Sequence, residues 1–370
     1  MGNQIVVRQA KLSDKTEFMR LWETCFHDSQ SFMDWMFGER FYPEHAVCLL
    51  EGVEMCSTMQ AIPYDIVVRG KSIKGVMLCG VATDPKHQRR GFMGQIFRKE
   101  MQMLREQGFV LAVHTPAVLQ SYFGYGHYPV ANALYVTGSA PSDEIQEYVF
   151  LQKPEIKNLY PLYQMEMYQY SGSILRSEAE FIRKYDDYAA DGGKCIVITE
   201  GNQILGYAMF YETETEVISV ENIAIAGAYP KLILALLDIA KGRKILVKLP
   251  PAAVQQTELP EGLVLEEKQK GVAGICNIQK LLEQLKLDCP YTVEVYGDVI
   301  IENNGVFDFT GKKSKQPPVL KIEAGKFLGV LMGYVTLDEI LADCTVYKLE
   351  NVTKISKILP KDKCYIIDEY

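Results

Sequence analysis

The run from Val81 to Gly94 constrains the fold of this chain more than any other segment. It reads Val-Ala-Thr-Asp-Pro-Lys-His-Gln-Arg-Arg-Gly-Phe-Met-Gly, so a β-branched strand end leads through a proline turn into two arginines and a glycine. Apolar residues then recur at helical spacing, which predicts a helix over residues 90–107. The free N–H groups of a first helical turn bind anions, and glycine permits close approach of the backbone. The segment therefore predicts a phosphate-binding loop, with an ordinary capped helix as the alternative.

The flanking segments fit the same unit. Strand-like runs at residues 66–69 and 72–83 surround Gly70-Lys71, which indicates a hairpin. Gly108 ends the predicted helix, and residues 109–114 form a short apolar strand. A short helical stretch then leads to Ser-Tyr-Phe-Gly-Tyr-Gly-His at residues 121–127.

This order of hairpin, strand, basic glycine loop, helix, strand and tyrosine resembles the GNAT N-acetyltransferases. Their signature, [Gln/Arg]-x-x-Gly-x-[Gly/Ala], matches residues 88–93, Gln-Arg-Arg-Gly-Phe-Met. Met93 departs from it, since most of that superfamily keeps a small residue there. Arg-Arg-Gly followed by two bulky apolar residues instead resembles the enhanced-intracellular-survival (Eis) branch.

Composition excludes several classes of function. The chain has 370 residues, enough for two or three domains, and its net charge of −8 argues against nucleic acid as a partner. Its nine cysteines are scattered without a Cys-x-x-Cys pair. This pattern predicts reduced thiols in a cytoplasmic protein, with no disulfide framework and no metal site. The apolar stretches are too short to span a membrane, so no membrane association is expected.

The chain divides into three predicted units, at residues 1–145, 146–265 and 266–370. The second repeats the hairpin–strand–helix–strand order of the first, with helices at 160–170 and 177–185, strands at 195–199, 204–210 and 217–225, a helix at 230–241 and a strand at 245–249. Between its third strand and its last helix, residues 226–229 read Ala-Gly-Ala-Tyr. A loop without arginine cannot hold a pyrophosphate in the same way, so the second unit is predicted to be a degenerate copy.

The third unit follows a polar stretch at residues 255–270, interpreted as a connection. A helix at 278–285 and strands at 291–296, 299–302, 306–310 and 319–322 are predicted, with Asn303-Asn304-Gly305 as a hairpin turn. An apolar segment at 325–332 and a helix at 337–342 follow. This order resembles sterol-carrier-protein-like domains. The predicted fold class is thus α/β (α+β), with tandem GNAT folds followed by a sterol-carrier-like α+β domain, as in the Eis acetyltransferases.

The resemblance implies acetyl-CoA as co-substrate, without a metal. Pantetheine and acetyl contacts would fall on Val81, Ala82 and Thr83. The pyrophosphate would lie against Arg89, Arg90, Gly91, Phe92, Met93 and Gly94, and the cofactor arm against Ala117 and Val118.

The resemblance also implies a tyrosine that protonates the departing CoA thiolate. A phenol (pKa ~10) and a thiol (pKa ~8.5) are closely matched for this transfer. The superfamily spacing, Tyr-x-x-x-Gly, selects Tyr122 as the acid. Tyr125 is the competitor if the loop is shifted, and either tyrosine could be a packed side chain instead.

In the Eis family the base is the carboxylate of the chain terminus, which here falls on Tyr370. The final residues, Cys-Tyr-Ile-Ile-Asp-Glu-Tyr, form a β-like apolar run closed by acids and an aromatic ring. Glu369 would add negative charge beside an incoming cation. The alternative is a final edge strand with no chemical role.

Asp28 and Trp35, in the aromatic N-terminal helices, are the candidates for acceptor contacts. The chain is predicted to transfer acetyl directly to a primary amine of an aminoglycoside, polyamine or lysine-like acceptor. The alternatives are a non-catalytic acyl-CoA or lipid-binding protein, and a transferase of a longer acyl or aminoacyl group. The family further suggests a homo-oligomer, specifically a hexamer.

Overall fold

The computed structural model describes residues 4–141 and 147–369. The expected boundary between residues 145 and 146, and Tyr370, lie outside these residues. The strands are β1 (Ile5–Gln9), β2 (Ala46–Glu51), β3 (Glu54–Val68), β4 (Lys71–Thr83), β5 (Leu111–His114), β6 (Tyr128–Gly138), β7 (Tyr148–Phe150), β8 (Ile174–Leu175), β9 (Lys194–Glu200), β10 (Gln203–Glu212), β11 (Glu216–Ala224), β12 (Lys244–Leu249), β13 (Leu263–Ile275), β14 (Thr292–Tyr296), β15 (Gly305–Asp308), β16 (Leu320–Glu323) and β17 (Thr345–Val346).

The helices connect these strands and cover the sheets. They are α1 (Lys15–Phe26), α2 (Gln30–Glu39), α3 (Phe92–Glu106), α4 (Lys153–Ile156), α5 (Tyr160–Met167), α6 (Glu178–Ala190), α7 (Tyr229–Ala240), α8 (Ile278–Leu285), α9 (Ala324–Met332) and α10 (Leu349–Ile358). Within the described ranges, no helix is both long and apolar enough to cross a bilayer.

One large mixed sheet runs through the first two predicted units, in the order β1-β2-β3-β4-β5-β13-β6-β12-β11-β10-β9-β7, with β8 added beside β3. The predicted hairpin is confirmed: β3 and β4 pair antiparallel around Arg69 and Gly70, which both have left-handed backbones. The α/β architecture expected from the sequence is therefore present.

Strands β4 and β5 open a gap in this sheet. They pair in parallel only from Gly75↔Leu111 to Met77↔Val113, and β4 then continues to Thr83 without β5, paired with β3 on its other side. Past the end of the pairing with β5, two residues of β4, Gly80 and Val81, lie opposite a single residue of β3. This arrangement is a β-bulge. The bulge bends β4 where it leaves β5, so a cleft opens between the two strand ends.

Strand β13 was not expected, since residues 255–270 were interpreted as a connection. It pairs with β6 along one side and with β5 along the other, so the expected boundary after residue 265 falls inside it. Residues 266–269 are exposed without alternation. The hydrophobic period that identifies a strand is therefore missing, and pairing with β6 determines its conformation instead.

The second unit has the predicted elements, shifted by a few residues at their ends. Strands β9, β10 and β11 form an antiparallel meander, and β11 pairs in parallel with β12 across the crossover helix α7. This strand–helix–strand order matches that of β4, α3 and β5.

The third unit has a four-stranded sheet in the order β15-β14-β16-β17. The hairpin predicted at Asn303–Gly305 is wrong: residues 301–303 form a 3₁₀ turn, and β15 pairs with β14 instead. The Asn303 side chain explains the difference, because its buried amide donates to the Ile275 carbonyl and its oxygen accepts from Arg105. The predicted helix at 337–342 is also wrong, since only a short 3₁₀ turn occurs at 341–343. The apolar segment forms helix α9, and α10 was not predicted.

The C-terminal segment is buried from Cys364 to Asp368 but forms no strand. A single parallel bridge joins Ser171 to Cys364. The segment passes over Gly271, where a Cβ atom would lie 2.5 Å from Cδ1 of Ile366. The predicted docking of an apolar tail is therefore observed, although as an extended segment between two cores instead of an edge strand.

Candidate functional site

A cavity of about 850 Å³ occupies the cleft between β4 and β5 and reaches the start of α3. Most of the predicted cofactor residues line it: Val81, Thr83, Arg89, Gly91, Phe92, Met93, Gly94, Ala117 and Val118. Ala82 does not, since its side chain is buried in the core on the α1 side of the sheet. The cavity also contains Tyr122, Tyr125 and, unexpectedly, His114 and Lys270.

The start of α3 is built to receive an anion. Gly91 is the N-cap residue with φ 75°, and Arg89, two residues earlier, has φ 62°. No side chain caps the helix, and its first turn carries no acidic residue. The first N–H groups of α3 thus stay available at the cavity wall, where the helix dipole also favours negative charge. A pyrophosphate fits this arrangement.

Arg90 does not line the cavity, in contrast to the expectation from the signature. Its guanidinium forms two hydrogen bonds of 2.7 Å with the Glu51 carboxylate and lies 2.9 Å from Nδ1 of His87. The ion pair lowers the pKa of Glu51. Potential metal-ligand atoms of Glu51, Cys56 and His87 also lie within 4.8 Å of one another. The Arg90 cation is paired with this carboxylate, and the pairing directs Arg90 away from the cavity.

Tyr122 lies on the 3₁₀ turn at residues 119–125 and is 8% exposed. Its ring packs edge-on against His114 at 4.3 Å and against Phe97 at 5.8 Å. Burial, and then the neighbouring Tyr125, raise the pKa of Tyr122 to about 12. Burial lowers the pKa of His114 well below its ordinary value, with His127 adding to the effect. The phenol therefore stays protonated at neutral pH beside an uncharged imidazole, as a proton donor must, although at this pKa it is a weaker acid than an ordinary phenol.

Tyr125 lies at the same cavity but packs toward the start of α3. The Arg98 guanidinium lies 5.6 Å from its ring, and a Cβ atom on Gly94 would come within 2.6 Å of its hydroxyl. Gly94 thus permits Tyr125 to lie against the helix backbone, a structural reason for the tyrosine that does not require proton transfer.

A second cavity of about 510 Å³ adjoins the first and shares Lys270 and Glu369 with it. Aromatic and charged side chains dominate its wall: Asp28, Phe32, Tyr135, Lys184, Asp187, Tyr188, Asp191, Tyr211, Lys248, Lys270 and Glu369. Asp28, a predicted acceptor contact, lies in this wall, and its carboxylate accepts a hydrogen bond from the Trp22 indole. Trp35 lines neither cavity and packs against Phe32.

Glu369 lies where the two cavities meet. Lys248 and Lys270 both pair with its carboxylate, at 2.5 Å and 2.9 Å. Burial would raise the pKa of Glu369, but the two ammonium groups lower it overall. The expected free negative charge beside an incoming cation is therefore already neutralised by the protein.

A buried ion network holds Asp368, the residue before Glu369. The Arg176 guanidinium pairs with Asp368 at 2.7 Å and with Glu221 at 2.8 Å, and all three side chains have no exposed surface. Tyr207 donates a further hydrogen bond to Glu221. Because separating one member would leave a buried charge without a partner, the network fixes the position of Asp368 and hence of Glu369.

Sequence reasoning missed the lysines of the second cavity and the tyrosines contributed by α6 and β10. Lys248 lies within the apolar strand β12, and a lysine in such a run is a signal that could have been noticed, since buried lysines require a partner. Lys270 lies in an all-polar stretch and carries no comparable signal.

Residues 6–130 match the family model of the acetyltransferase (GNAT) domain. Among curated proteins, no sequence matches this chain. A GCN5-related N-acetyltransferase from Anabaena variabilis is similar in structure, with TM-score 0.83, 15% identity, and coverage of 99% of this chain and 100% of that one.

A probable N-acyltransferase of unknown function from Enterococcus faecalis has TM-score 0.83 and 14% identity, with complete coverage of both chains. Eis1 from Mycobacterium abscessus has TM-score 0.76 and 12% identity, covering 99% of this chain and 100% of that one. At these identities the structures establish a shared fold. The family match adds the chemistry: this chain is an enzyme whose residues 6–130 form an acetyltransferase domain of the GNAT family.

Proposed function

We propose that this enzyme transfers an acetyl group from acetyl-CoA directly to a primary amine of an aminoglycoside, polyamine or lysine-like acceptor. The observation that carries the proposal is the meeting of two cavities at Lys270 and Glu369. One contains the anion-receiving start of α3 and Tyr122, and the other is a separate, aromatic and charged compartment. A cofactor and an acceptor could therefore approach each other from opposite sides.

In this mechanism the pyrophosphate of acetyl-CoA lies at the start of α3, and the thioester lies at the bulge of β4. Backbone N–H groups around Gly80 and Val81, which the strand register leaves out of the ladder, polarise the thioester carbonyl. The amine attacks the carbonyl carbon, and the tetrahedral intermediate releases the CoA thiolate. Tyr122 gives its proton to that thiolate.

The second cavity suggests the character of the acceptor. Asp28 and Asp191 are exposed at one part of its wall, and Phe32, Tyr188 and Tyr211 provide aromatic surface. This combination suits an amine that has apolar parts and a second cationic group.

The carboxylate of Tyr370 is proposed to accept the proton of the amine, directly or through water. The support is the anchoring of the preceding residues, because the Asp368 carbonyl accepts from Thr115 Oγ1 and the Ile367 carbonyl accepts from the Lys248 ammonium. We expect a short peptide extension after Tyr370 to lower kcat at least ~10²-fold, a typical general-base contribution. A matched extension at the N-terminus is the control. An unaffected rate in the C-terminal variant would remove Tyr370 from the mechanism.

The experiment that tests the function measures thiol release from acetyl-CoA in the presence of polyamines, aminoglycosides and lysine peptides. We expect acceptor-dependent release with at least one of these amines. Parallel reactions with longer acyl-CoA thioesters test transfer of a larger group. Acetyl-CoA binding without thiol release in any reaction would instead support a binding protein. Light scattering would test the expected homohexamer.

A further inference from the structure

Lys270 occupies an unusual position on β13. The register between β13 and β6 runs from Gln269↔Asn132 directly to Gly271↔Ala131, so Lys270 has no partner in the ladder. This is a β-bulge, a device that redirects a side chain and that occurs frequently beside active sites. Gly271 follows it and leaves room for Ile366 of the C-terminal segment.

The bulge directs Lys270 toward the reacting end of the site. Two residues later, Val272 pairs with His114 at the end of β5, the strand that borders the cleft. The Lys270 side chain lines both cavities and is 26% exposed. It thus lies at the passage through which an acceptor amine would reach the thioester.

The two lysines at this passage differ in how tightly their ammonium groups are held. The Lys248 ammonium is buried and also donates to the Ile367 carbonyl, so it is fixed in place. Among the ion pairs of the described residues, Lys270 takes part in one, with Glu369. Lys270 is partly exposed and held by a single ion pair, so its side chain is the one that can turn toward the thioester. In its neutral form, a lysine amine is a nucleophile.

We infer that the Lys270 ε-amine is itself an acetyl acceptor, so that the enzyme modifies its own active-site passage when no external amine is bound. This inference rests on the proposed function. The Lys270 nitrogen, after losing a proton to water, attacks the thioester carbonyl and forms an amide bond. The carbon–sulfur bond breaks, and the CoA thiolate takes the proton of Tyr122. The nitrogen loses its second proton to solvent, and Tyr122 regains a proton from solvent. The products are Nε-acetyl-Lys270 and free CoA.

Acetylation would change the site in two ways. It removes one of the two positive charges that are paired with Glu369, and it places an uncharged, longer side chain in the passage between the cavities. The modified enzyme is therefore expected to turn over external amines more slowly than the unmodified one.

The test incubates the full chain with acetyl-CoA alone and follows acetylation by intact mass and peptide mapping. Lys268 provides an internal control, because it lies on the same strand, is 52% exposed, pairs with Glu266 and lines neither cavity. We expect Lys270 to be acetylated ~10²-fold faster than Lys268, since general acid catalysis contributes at least this factor. K270R should abolish the rapid phase, K268R should leave it unchanged, and Y122F should reduce it to the rate of Lys268.

Equal rates at Lys270 and Lys268, or a Lys270 rate that Y122F does not change, would overturn the inference. Thiol release with an external amine is measured on the same preparation. Release without labelling of Lys270 would reject self-acetylation and keep the proposed function. Labelling of Lys270 without release to any amine would keep self-acetylation and reject the proposed acceptors. The absence of both would reject both.

Discussion

The junctions β4–α3 and β11–α7 have the same plan but different chemistry. In each, a strand that pairs in parallel with a later strand carries a bulge and then leads to a helix. The bulge lies at Gly80 and Val81 in the first copy and at Val220 in the second, which the register skips between Ser219 and Glu221. A glycine with φ near 80° precedes both helices, Gly91 with 75° and Gly227 with 81°.

The second junction has lost the features that receive a cofactor. Pro230 lies in the first turn of α7 and removes one N–H donor, and the Tyr229 side chain is buried at the same turn. Beyond the β11–β12 pairing, the Asn222 amide donates to the carbonyls of Ser219 and Lys248 and so bridges the strand ends. A shared backbone is therefore not sufficient for a cofactor site. Open helix donors and an open cleft are also needed.

The largest expected difference between the copies concerns their buried tyrosines. Y122F removes the proposed proton donor, so we expect kcat to fall by ~10²- to 10⁴-fold. Y229F changes a buried tyrosine of the second copy and should leave kcat unchanged. Initial-rate measurements of both variants test this expectation, and a fully active Y122F would remove Tyr122 from the mechanism.

Two further measurements separate Tyr122 from Tyr125. Y125F should keep most of kcat, and a loss as large as that of Y122F would favour Tyr125 as the acid. Because the pKa of Tyr122 is raised to about 12, its acid form persists across the usual assay range and is lost only when pH rises through that value. The rate profile of the wild type should therefore show no decline from this group below about pH 11.

The next largest difference is expected between the adjacent arginines Arg89 and Arg90, in their effect on the KM for acetyl-CoA. R89A removes a cavity-lining cation, and a charge-assisted contact of about 1.5–3 kcal/mol corresponds to roughly a ten- to hundredfold rise in KM for acetyl-CoA. R90A removes a cation that is paired with Glu51 instead, so its effect on KM should be several times smaller. Equal effects of the two variants on KM would show that Arg90 leaves Glu51 when acetyl-CoA binds.

The smallest effects are expected at the paired glycines. A Cβ atom at Gly91 or Gly227 meets no atom within 4 Å, so either alanine variant should cost about 1–2 kcal/mol of stability through backbone strain alone. Thermal unfolding should therefore shift similarly for G91A and G227A. Only G91A alters the donors at the cofactor cavity and should raise the KM for acetyl-CoA by a few-fold. A matching rise in G227A would contradict the assignment of the second copy as inactive.

The sequence predicted the parts of the fold that depend on local patterns. The residue 81–94 junction, the β3–β4 hairpin and the amphipathic helices are encoded by periodicity and glycine placement, and they occur near their predicted positions. Long-range effects account for the failures. Strand β13 owes its conformation to β6, and Asn303 is committed to buried hydrogen bonds with Ile275 and Arg105 instead of a hairpin turn.

The candidate site shows the same division between features set by local sequence patterns and features set by long-range contacts. The cofactor residues were predicted from one contiguous motif. The pairing of Arg90 with Glu51, which takes Arg90 out of the cofactor site, is visible only in the structure. Lys248 and Lys270 lie on the consecutive strands β12 and β13, whereas their partner Glu369 comes from the far end of the chain. Their encounter depends on where the tail docks, which the apolar pattern of its residues does not specify.

The alternating burial of the tail makes the passage between the cavities depend on two cores. Cys364 and Ile366 pack into the core shared by the first and third units, while Tyr365 and Ile367 pack into a core of the second. Glu369 therefore reaches the passage only when these residues have joined the two cores.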